Sequence, residues 1–584
     1  MNSSSDFIIA IQTFQFPLIA FLFKIIVVFL LVAAIFTLIY DRFIQRENQL
    51  LINYPLIGRM RYFFYLLRDP MRQYFGDEKF YESFDKVKWV YNAAEDKPLM
   101  ASFSPEQPQR SERLSIKHAN FVLNAEEVDE PFEVIFGTDV KQPFITHSVI
   151  GRSAMSDGSI SPEGTRAFAM GAKQEHFPIN TGEGSLTSNF LTTHGYNPKD
   201  NAYLSVKEGT LFAKAVYRLV RVLFNTAIAR RVYQHMVLAP KEEESYLFDS
   251  HRMVSYRINW NAPLDAFPKK VPLDLPDIIF QMGSGLYGVR DKSGSFDAER
   301  YKKVMRFCRM TEIKIAQGAK QTGGKLLANK VSEAIGYYRG IEPHKDLFSP
   351  NTFPYAHNMK ELFDFIGALK NHSEKPVGIK IVISSRKAFE AYADLIATRI
   401  AEGSRSYPDF ITIDGADGGS GAAPLEMMMT VGLTIHKALY IAETILSEYG
   451  VRDRVKLIAS EKVLTPDDAM VLLGVGADYV AIARAFMMSA GCIRARVCSG
   501  ASGHHCPVGL ATQDPKKRAS FLVKQKAEHV ANYHHQMIYG LKGLMAIMGI
   551  KRLSELTRDH LIFKDHTGKT YFDINAYFKE MLSD

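Results

Sequence analysis

The longest apolar stretch of the chain lies close to its N-terminus. Residues 14–40 read FQFPLIAFLFKIIVVFLLVAAIFTLIY, in which Lys24 is the single charged residue. A helix needs about 20 such residues to cross the hydrocarbon core of a bilayer, whereas a cleavable signal peptide has a shorter apolar region of about 7–15 residues. The pattern therefore predicts a retained transmembrane anchor within residues 1–45, in preference to a signal peptide or a buried core helix.

The residues that follow are rich in arginine. Between residues 41 and 72 arginine outnumbers aspartate and glutamate, and positively charged flanks stay on the cytoplasmic side of a membrane. We therefore expect a single pass through an inner or plasma membrane and a cytoplasmic catalytic body. Residues 46–130 are predicted to form a juxtamembrane extension, and LINYPLIGRMRYFFYLLRDP within it predicts either a helix near the bilayer surface or an ordinary linker helix.

From about Phe132 onward, short apolar runs alternate with helical patterns. The runs are PFITHSVI, DIIFQM, TEIKIAQ, VGIKIVI, DFITIDG, VKLIAS and DYVAIA. Such alternation predicts parallel βα units. Because no early strand carries a nucleotide-type glycine loop, the pattern favours an α/β fold of the (β/α)8 TIM barrel type over residues 131–530, and not a doubly wound sheet. Residues 531–584 are predicted to form a C-terminal helical tail.

One helix of the barrel can be predicted in detail. In TPDDAMVLLGVGA we expect Thr465 to cap the helix, Pro466 to fit its first turn and Asp468 to complete a capping box. Gly474 is predicted to end the helix. The segment GSGLYG at 283–288 matches a dinucleotide-binding fingerprint, but VRDKSG follows it where an apolar helix is required, so a loop is predicted there.

A helical insertion over about 190–272 interrupts the alternation. A helical projection of SVKEGTLFAKAVYRLVRVLFNTAIARRVYQHM separates a basic face from an apolar face. The two faces consist of Lys214, Arg218, Arg221 and Asn225 and, opposite them, Phe212, Val216, Leu219 and Leu223. Two interpretations stay open: a helix packed on the barrel with its basic face in solvent, or a helix in contact with an anionic membrane surface.

Composition narrows the classes of function. The chain has 584 residues, 47% of them hydrophobic and 23% charged, which is ordinary globular usage and excludes disordered, collagen-like and coiled-coil proteins. The net charge of +8 is mild and spread out, so no nucleic-acid partner is expected.

Three of the four cysteines are close together in the sequence, at Cys492, Cys498 and Cys506. In a reducing compartment this density is more typical of metal ligands than of disulfides. Three thiolates suit an iron–sulfur cluster with three irons, while His504 and His505 leave zinc possible, and buried structural thiols are the third interpretation. Cys308 is expected in the core.

Two loops after the last predicted strands, ASEKVLTPDDA and AIARAFMMSAG, have the spacing of a flavin mononucleotide (FMN) phosphate site. Ser460 and Glu461 stand where a glycine pair is usual, and Glu461 would bring a negative charge near the phosphate, so the site is weaker than ideal unless that side chain points away. The glycine-rich segment DGADGGSGAAP lets backbone approach a flat or anionic ligand. Lys380 ends the strand VGIK at the C-terminal mouth, where a cation can stabilise a reduced flavin or a carboxylate.

These motifs together resemble the flavin-binding synthase domain of glutamate synthase, and in particular its stand-alone, membrane-anchored bacterial branch. The matching segments are MSDGSIS (155–161), NTGEG (180–184), IKIAQGAK (313–320), GIK (378–380), DGADGGSGAAP (414–424) and the cysteine segment 491–515.

The resemblance implies an oxidoreductase that uses FMN and a [3Fe–4S] cluster to convert 2-oxoglutarate and ammonia, through 2-iminoglutarate, to L-glutamate. Cys492, Cys498 and Cys506 would ligate the cluster, Lys380 would contact flavin or substrate, and Gln317 and Lys320 would face the substrate carboxylates. The residues implied to hold FMN are Met155, Ser156, Gly158, Ser159, Asp417, Gly418, Gly419, Ser460, Glu461, Ala483 and Arg484.

The implied partners are a 2-oxo acid, ammonia or an amine donor, a ferredoxin-like or reductase electron donor, and the lipid bilayer. Two alternatives remain at this stage. One is an FMN barrel oxidoreductase acting on another small oxo, hydroxy or amino acid. The other is a catalytically degenerate, membrane-tethered redox or interaction subunit.

Overall fold

The structure is a computed structural model of the chain. It describes residues 21, 23–66, 84–99, 113–129, 132–191, 204–207, 209–237, 246–249, 254–258 and 270–582, the last range without 274, 292, 319–322, 343, 417, 422, 424–426, 428–430, 496, 500–505 and 566–568.

The strands are numbered in chain order. They are β1 Arg113–Ile116, β2 Val134–Phe136, β3 Phe144–Thr146, β4 Ile150–Arg152, β5 Ile179–Asn180, β6 Leu204–Lys207, β7 Tyr246–Asp249, β8 Val254–Ile258, β9 Ile278–Met282, β10 Met310–Lys314, β11 Lys325–Leu326, β12 Leu347–Phe348, β13 Val377–Ile381, β14 Phe410–Asp414, β15 Lys456–Ser460, β16 Tyr479–Ile482, β17 Leu561–Lys564 and β18 Thr570–Tyr571.

The helices follow the same order. They are α1 Phe23–Ile44, then α2 Gln49–Asn53, α3 Met60–Leu66, α4 Phe84–Ala94, α5 Pro162–Gln174, α6 Ser188–Leu191, α7 Leu211–Leu223, α8 Thr226–Val237, α9 Ala298–Met305, α10 Glu333–Arg339, α11 Met359–Ser373, α12 Arg386–Ala401, α13 Ile435–Glu448, α14 Pro466–Val475, α15 Arg484–Ser489, α16 Pro515–Arg518, α17 Val523–Met548 and α18 Ile574–Leu582.

Eight parallel strands close into a barrel in the order β10-β13-β14-β15-β16-β4-β5-β9. The predicted (β/α)8 TIM barrel is thereby confirmed. Its strands are short and rich in β-branched residues, and β13 and β14 are buried along their whole length, as expected of parallel strands that have the barrel interior on one side and helices on the other.

The first two barrel strands differ from the sequence pattern. The run PFITHSVI divides, because Phe144–Thr146 pairs antiparallel with β2 outside the barrel and only β4 enters it. Strand β5 is two residues long, too short for any periodicity to reveal. The segment 283–288 forms turns after β9, so the predicted loop is confirmed.

The helix predicted at residue 465 begins as expected and ends later. Thr465 and Asp468 form the capping box of α14. The prediction that Gly474 ends the helix is wrong, since the helix runs to Val475 and Gly476 follows as its C-cap with φ of 137°. Gly474 lies within the last turn, where a Cβ would stand 3.0 Å from Leu561.

The chain forms two compact units, residues 1–79 with 209–237 and residues 80–208 with 238–584. In the first, α1 is long and apolar enough to cross a membrane, with a mean hydropathy of 2.7 and none of that window buried. Asp41 at its end is fully buried, accepts a hydrogen bond from the backbone N–H of Leu56 at 3.1 Å and pairs with Arg59 at 2.6 Å.

The insertion is not wholly helical, contrary to the prediction. Strands β6, β8 and β7 form a three-stranded antiparallel sheet within 190–272. Asn225 does not belong to the basic face of α7, since it follows the helix and its side chain accepts from the backbone N–H of Ile228 at 2.8 Å. Two residues of the predicted apolar face, Phe212 and Leu219, are 71% and 58% exposed.

The C-terminal region also departs from the predicted helical tail. Helix α17 begins at Val523, before residue 531. Beyond it, β17 pairs antiparallel with both β1 and β18, so residues 531–584 contain strands as well as helices. Cys308 is fully buried, as expected of a core residue.

Two glycines offer a test of the end of α14. Gly476→Ala should destabilise the protein by about 1–3 kcal/mol, because it forces a non-glycine residue into a positive-φ conformation, and its Cβ would lie 2.5 Å from Glu443 Cγ. Gly543→Ala, within α17 and with open space around it, should be neutral or stabilise the protein by up to about 1 kcal/mol. Thermal melts of the two variants and the parent check this, and equal melting temperatures would contradict it.

Candidate active site

The C-terminal ends of the barrel strands bring two lysines together. Lys314 is the last residue of β10 and Lys380 the last but one of β13, and the two are register partners in these neighbouring parallel strands. Register partners of adjacent strands project to the same side of the sheet. Their side chains are largely buried, with 10% and 6% exposed, so two cations stand side by side at the rim where barrel enzymes keep their active sites.

Each lysine has a carboxylate partner. Lys314 Nζ lies 2.7 Å from Glu183 Oε2, and Lys380 Nζ lies 3.4 Å from Asp414 Oδ1. The second oxygen of Asp414 accepts the backbone N–H of Gly318 at 2.7 Å, which holds the loop after β10 against the end of β14. The pairs offset the repulsion between the lysines and fix both amines at the rim.

A buried arginine from α10 reaches the same rim. Arg339 Nη2 donates to the backbone carbonyl of Asp157 at 3.2 Å, and its guanidinium stands 5.5 Å from the centre of the Tyr287 ring. Burial lowers the pKa of Arg339, while Tyr287, Glu183 and Asp157 act in the opposite direction. Among the described residues its Nε has no hydrogen-bond partner, so the site retains one unsatisfied cationic donor.

The predicted flavin segment 155–159 is a tight turn held from several sides. Ser159 donates its backbone N–H to Ser156 O at 3.1 Å, and Arg152 donates to Asn180 O at 2.7 Å and to Met155 O at 3.4 Å. Gln513 donates to Gly158 O at 3.1 Å. Met155, Ser156, Gly158 and Ser159 therefore lie in one turn whose backbone carbonyls are bound by side chains from other segments.

The glycine loop after β14 connects the remaining predicted segments. Gln317 Nε2 donates to Gly419 O at 2.8 Å. A Cβ added at Gly419 would have Arg484 Nη2 at 3.2 Å as its single near neighbour, and one at Gly421 would meet Cys498 Cβ only at 4.0 Å. Among the described residues the loop therefore borders open space between Arg484 and the cysteine segment. Asp417 and Lys320 lie outside the described residues.

The charge of Glu461 is directed to a helix. Its carboxylate accepts from the backbone N–H of Ile435, the first residue of α13, at 3.2 Å. The positive end of the helix dipole offsets this negative charge. Ser460 Oγ lies 3.4 Å from Ser153 Oγ, and Ala483 is the N-cap of α15, which Arg484 begins. Ser460 is thus the last residue of β15, while Ala483 and Arg484 follow β16.

The three clustered cysteines are close enough to influence one another electrostatically. Burial raises the pKa of Cys492 to about 12, and the Cys498 and Cys506 thiols add to this. Burial also raises the pKa of Cys498, which Lys330 and Arg484 counteract. Among the described residues, no three Cys, His, Asp or Glu side chains converge as they would around one metal ion. A cluster distributes its thiolates over separate irons. His504 and His505 lie outside the described residues.

Lys330 joins the cysteine segment to the flavin turn. Its amine donates to the backbone carbonyl of Cys498, to Ala511 O at 3.2 Å and to Ser159 O at 3.4 Å. Burial lowers the pKa of Lys330, and the nearby Cys498 and Cys506 oppose that shift. One buried amine therefore cross-links three chain segments that are remote in sequence.

Comparison with known proteins identifies the family of the chain. The conserved region in glutamate synthase matches residues 85–551. The chain belongs to the glutamate synthase family. It is a glutamate synthase-like enzyme and thus an oxidoreductase, as the sequence motifs indicate.

Relatives of this glutamate synthase-like chain differ in length. The glutamate synthase large subunit-like protein YerD of Bacillus subtilis is 30% identical over 95% of this chain and 97% of its own length. The archaeal-type glutamate synthase [NADPH] of Thermotoga sp. is 31% identical over 51% of this chain and 55% of its own length.

Among solved structures, the flavin-binding domain of baker's yeast flavocytochrome b2 is 13% identical over 83% of this chain and 80% of its own, with a TM-score of 0.38. This similarity is too low to add to what the strand order already shows.

Five residues of this glutamate synthase-like site were not singled out from the sequence. They are Glu183, Lys314, Lys330, Arg339 and Asp414. Glu183, Lys314 and Asp414 lie inside the recognised motifs, and the position of Lys314 one residue past a buried apolar run was the available signal. Lys330 and Arg339 bind segments that are distant in the sequence, so no local sequence pattern identifies them.

The Lys314–Glu183 pair of this glutamate synthase-like chain can be tested by a double-mutant cycle. Lys314→Met and Glu183→Gln should each destabilise the protein by about 1–3 kcal/mol, since each leaves a largely buried charge without its partner. The double variant should cost less than the sum of the two. Denaturation of the four proteins measures this, and additive losses would show that the pair is not coupled.

Proposed function

We propose that this member of the glutamate synthase family holds FMN and a [3Fe–4S] cluster and reduces 2-iminoglutarate to L-glutamate. The observation that carries the proposal is the meeting, at one barrel rim, of the flavin turn, the glycine loop, the cysteine segment and the lysine pair. Lys330 and the contacts of Gln317 join these parts directly.

The residues at the rim fit FMN. The open space along Gly419 and Gly421 allows a flat ring to lie against backbone, with the turn 155–159 forming another side. Ser460 ends β15 and Ala483 and Arg484 follow β16, at the end of the barrel where phosphate binds. Because Glu461 is engaged by α13, its charge is offset where a phosphate would bind. Asp417 and Gly418 would complete the glycine loop around the ring.

The donor set fits an iron–sulfur cluster. Three neighbouring thiols, of which that of Cys506 is buried, lie near two cations, Lys330 and Arg484, as suits the charge of a thiolate-ligated cluster. We assign Cys492, Cys498 and Cys506 as its ligands. Bound in these places, the cluster and FMN would supply the electron transfer and hydride chemistry that reduction of the imine requires.

The other residues would bind and orient the substrate. Arg339, with its unsatisfied Nε, and Lys314 are placed to bind the carboxylates of a dicarboxylic acid. Gln317 and Lys320 would assist on the loop after β10. Lys380, held by Asp414, would stabilise negative charge that develops on flavin or substrate.

Atoms and electrons balance in the overall reaction. Condensation of 2-oxoglutarate with ammonia releases water and gives the imine, and two electrons with two protons convert the imine to glutamate. Ammonia or an amine donor would supply the nitrogen, and a ferredoxin-like protein or a reductase the electrons. We further propose that α1 anchors the enzyme in the inner or plasma membrane, with the catalytic body in the cytoplasm.

Turnover tests the proposed reaction. The full-length protein, given 2-oxoglutarate, ammonium and an artificial one-electron reductant, should form L-glutamate. Lys380→Met should lower kcat/KM roughly 100-fold or more while the flavin spectrum is retained, because a charge-stabilising cation is lost. Lys387→Met, at an exposed position of α12, serves as the control. Turnover of a different small acid would replace the substrate assignment, and failure to retain flavin would favour a non-catalytic subunit.

Iron content tests the cluster ligands separately. Cys498→Ser should abolish cluster iron and its broad visible absorption, since a ligand is removed. Cys308→Ser should keep the iron, because Cys308 is buried among core residues. Anaerobic purification followed by iron analysis and electron paramagnetic resonance measures both variants. Equal loss of iron in the two variants would contradict the assignment of the three cysteine ligands.

A further inference from the structure

Helix α7 presents apolar side chains to solvent along one side. At about 100° per residue, its exposed apolar residues fall within an arc of about 120°, which we name the collar face. The collar face consists of Leu211, Phe212, Ala215, Leu219, Val222 and Leu223. Leu211 and Val222 are 87% and 82% exposed. An amphipathic helix of a soluble domain buries its apolar arc. In α7 the apolar arc is exposed instead.

The opposite side of α7 is already occupied. Ala213 is buried, the Tyr217 ring packs edge-on against Tyr233 of α8 at 5.7 Å, and the backbone N–H of Gly209 donates to the Tyr233 hydroxyl at 3.0 Å. Helices α7 and α8 therefore pack against each other through this side. The collar face lies on the other side of α7 and takes no part in that packing.

The hairpin is fixed to the end of the apolar helix α1. Arg231 of α8 donates to the carbonyl of Gln45, and Arg46 donates to the carbonyl of Ala227. Arg42 in turn donates to Ile52 O at 2.6 Å. These contacts all lie at the cytoplasmic end of the proposed anchor, so α7 is held where α1 would leave the membrane.

Helix α3 and the turn before it expose further apolar residues in the same unit. Ile57 is 73% exposed, and Phe63 and Phe64 are 53% and 55% exposed. The Asp41–Arg59 pair ties this segment to the same end of α1. Aromatic residues are enriched at the level of lipid headgroups.

The charge of this region suits an anionic surface. Residues 45–66 and 209–237 contain eight basic residues and one acidic residue, Glu47. Arg218 and Arg221 are exposed on α7 beside the collar face. Basic residues flanking an apolar helix face favour binding at an anionic bilayer surface.

We propose that the collar face of α7 lies in the boundary between headgroups and acyl chains of the anionic bilayer that α1 crosses. The proposal rests on the proposed membrane anchor and extends it, because it gives the enzyme a second, monotopic contact with lipid. α7, α3 and the end of α1 then form one surface that fixes the tilt of the anchored unit.

Quenching by brominated lipid tests this contact in the full-length protein. Val222→Trp places a tryptophan on the collar face, and Phe572→Trp places one at an exposed position of the other unit. Both are reconstituted in nanodiscs that contain phosphatidylglycerol, with and without brominated acyl chains. We expect Val222→Trp to show a blue shift and loss of the added emission, and Phe572→Trp to show neither.

The outcomes separate the collar from the anchor. Flotation of both variants with liposomes, together with quenching of Val222→Trp alone, supports both proposals. Flotation without quenching of Val222→Trp keeps the anchor and overturns the collar. If that protein also runs as a dimer that Leu219→Asp dissociates, a second copy covers the face instead. Absence of flotation for every variant overturns the anchor, and with it the collar.

Discussion

The site depends on hydrogen-bond donors for buried backbone carbonyls. These carbonyls lie in loops, where no neighbouring strand or helical turn supplies a backbone N–H. A buried carbonyl without a donor costs about 1–3 kcal/mol, and the loops at the C-terminal rim carry many of them. Cationic side chains supply the donors: Arg152 and Arg339 for the turn 155–159, and Lys330 for that turn and the cysteine segment together. The irregular backbone that would hold FMN and a cluster is thereby fixed by the protein itself.

This arrangement also explains why the rim tolerates so many cations. Lys314 and Lys380 are compensated by Glu183 and Asp414, whereas Lys330 and Arg339 are bound mainly by carbonyl dipoles. The first kind of cation has its charge balanced within the fold. The positive charge of the second kind is only partly compensated, so it can still attract a bound anion. A site for carboxylates or for a thiolate-ligated cluster requires this property.

Much of the fold could be predicted from the sequence because barrel strands and capped helices are local patterns. The runs around Val377 and Phe410 and the capping box at Thr465 are examples. Strand β5 could not, since its two residues gain their conformation from pairing with β4 and β9. Asn225 was misplaced because periodicity does not show where a helix ends.

The candidate site was predictable as far as its motifs extend. The glycine loop, the flavin turn and the cysteines are each contiguous in the sequence. Lys314 and Lys380 are neighbours because of the register between two strands that are more than 60 residues apart in the sequence. The carbonyls bound by Lys330 come from two segments, the turn at Ser159 and the cysteine segment, each more than 150 residues from Lys330. Such relations arise only on folding, and no single-sequence pattern encodes them.

The closure of the barrel has a consequence for the order in which the protein is made. Strand β4 completes the ring by pairing with β16, so the cylinder cannot close until residue 482 has left the ribosome. At about 5–20 residues per second, this is roughly 20–90 s after α1 has emerged. If α1 inserts co-translationally, the unfinished sheet spends that interval with two unpaired edges beside the membrane. Unpaired edges favour aggregation, so the folding yield then depends on the time that separates the synthesis of β4 from that of β16.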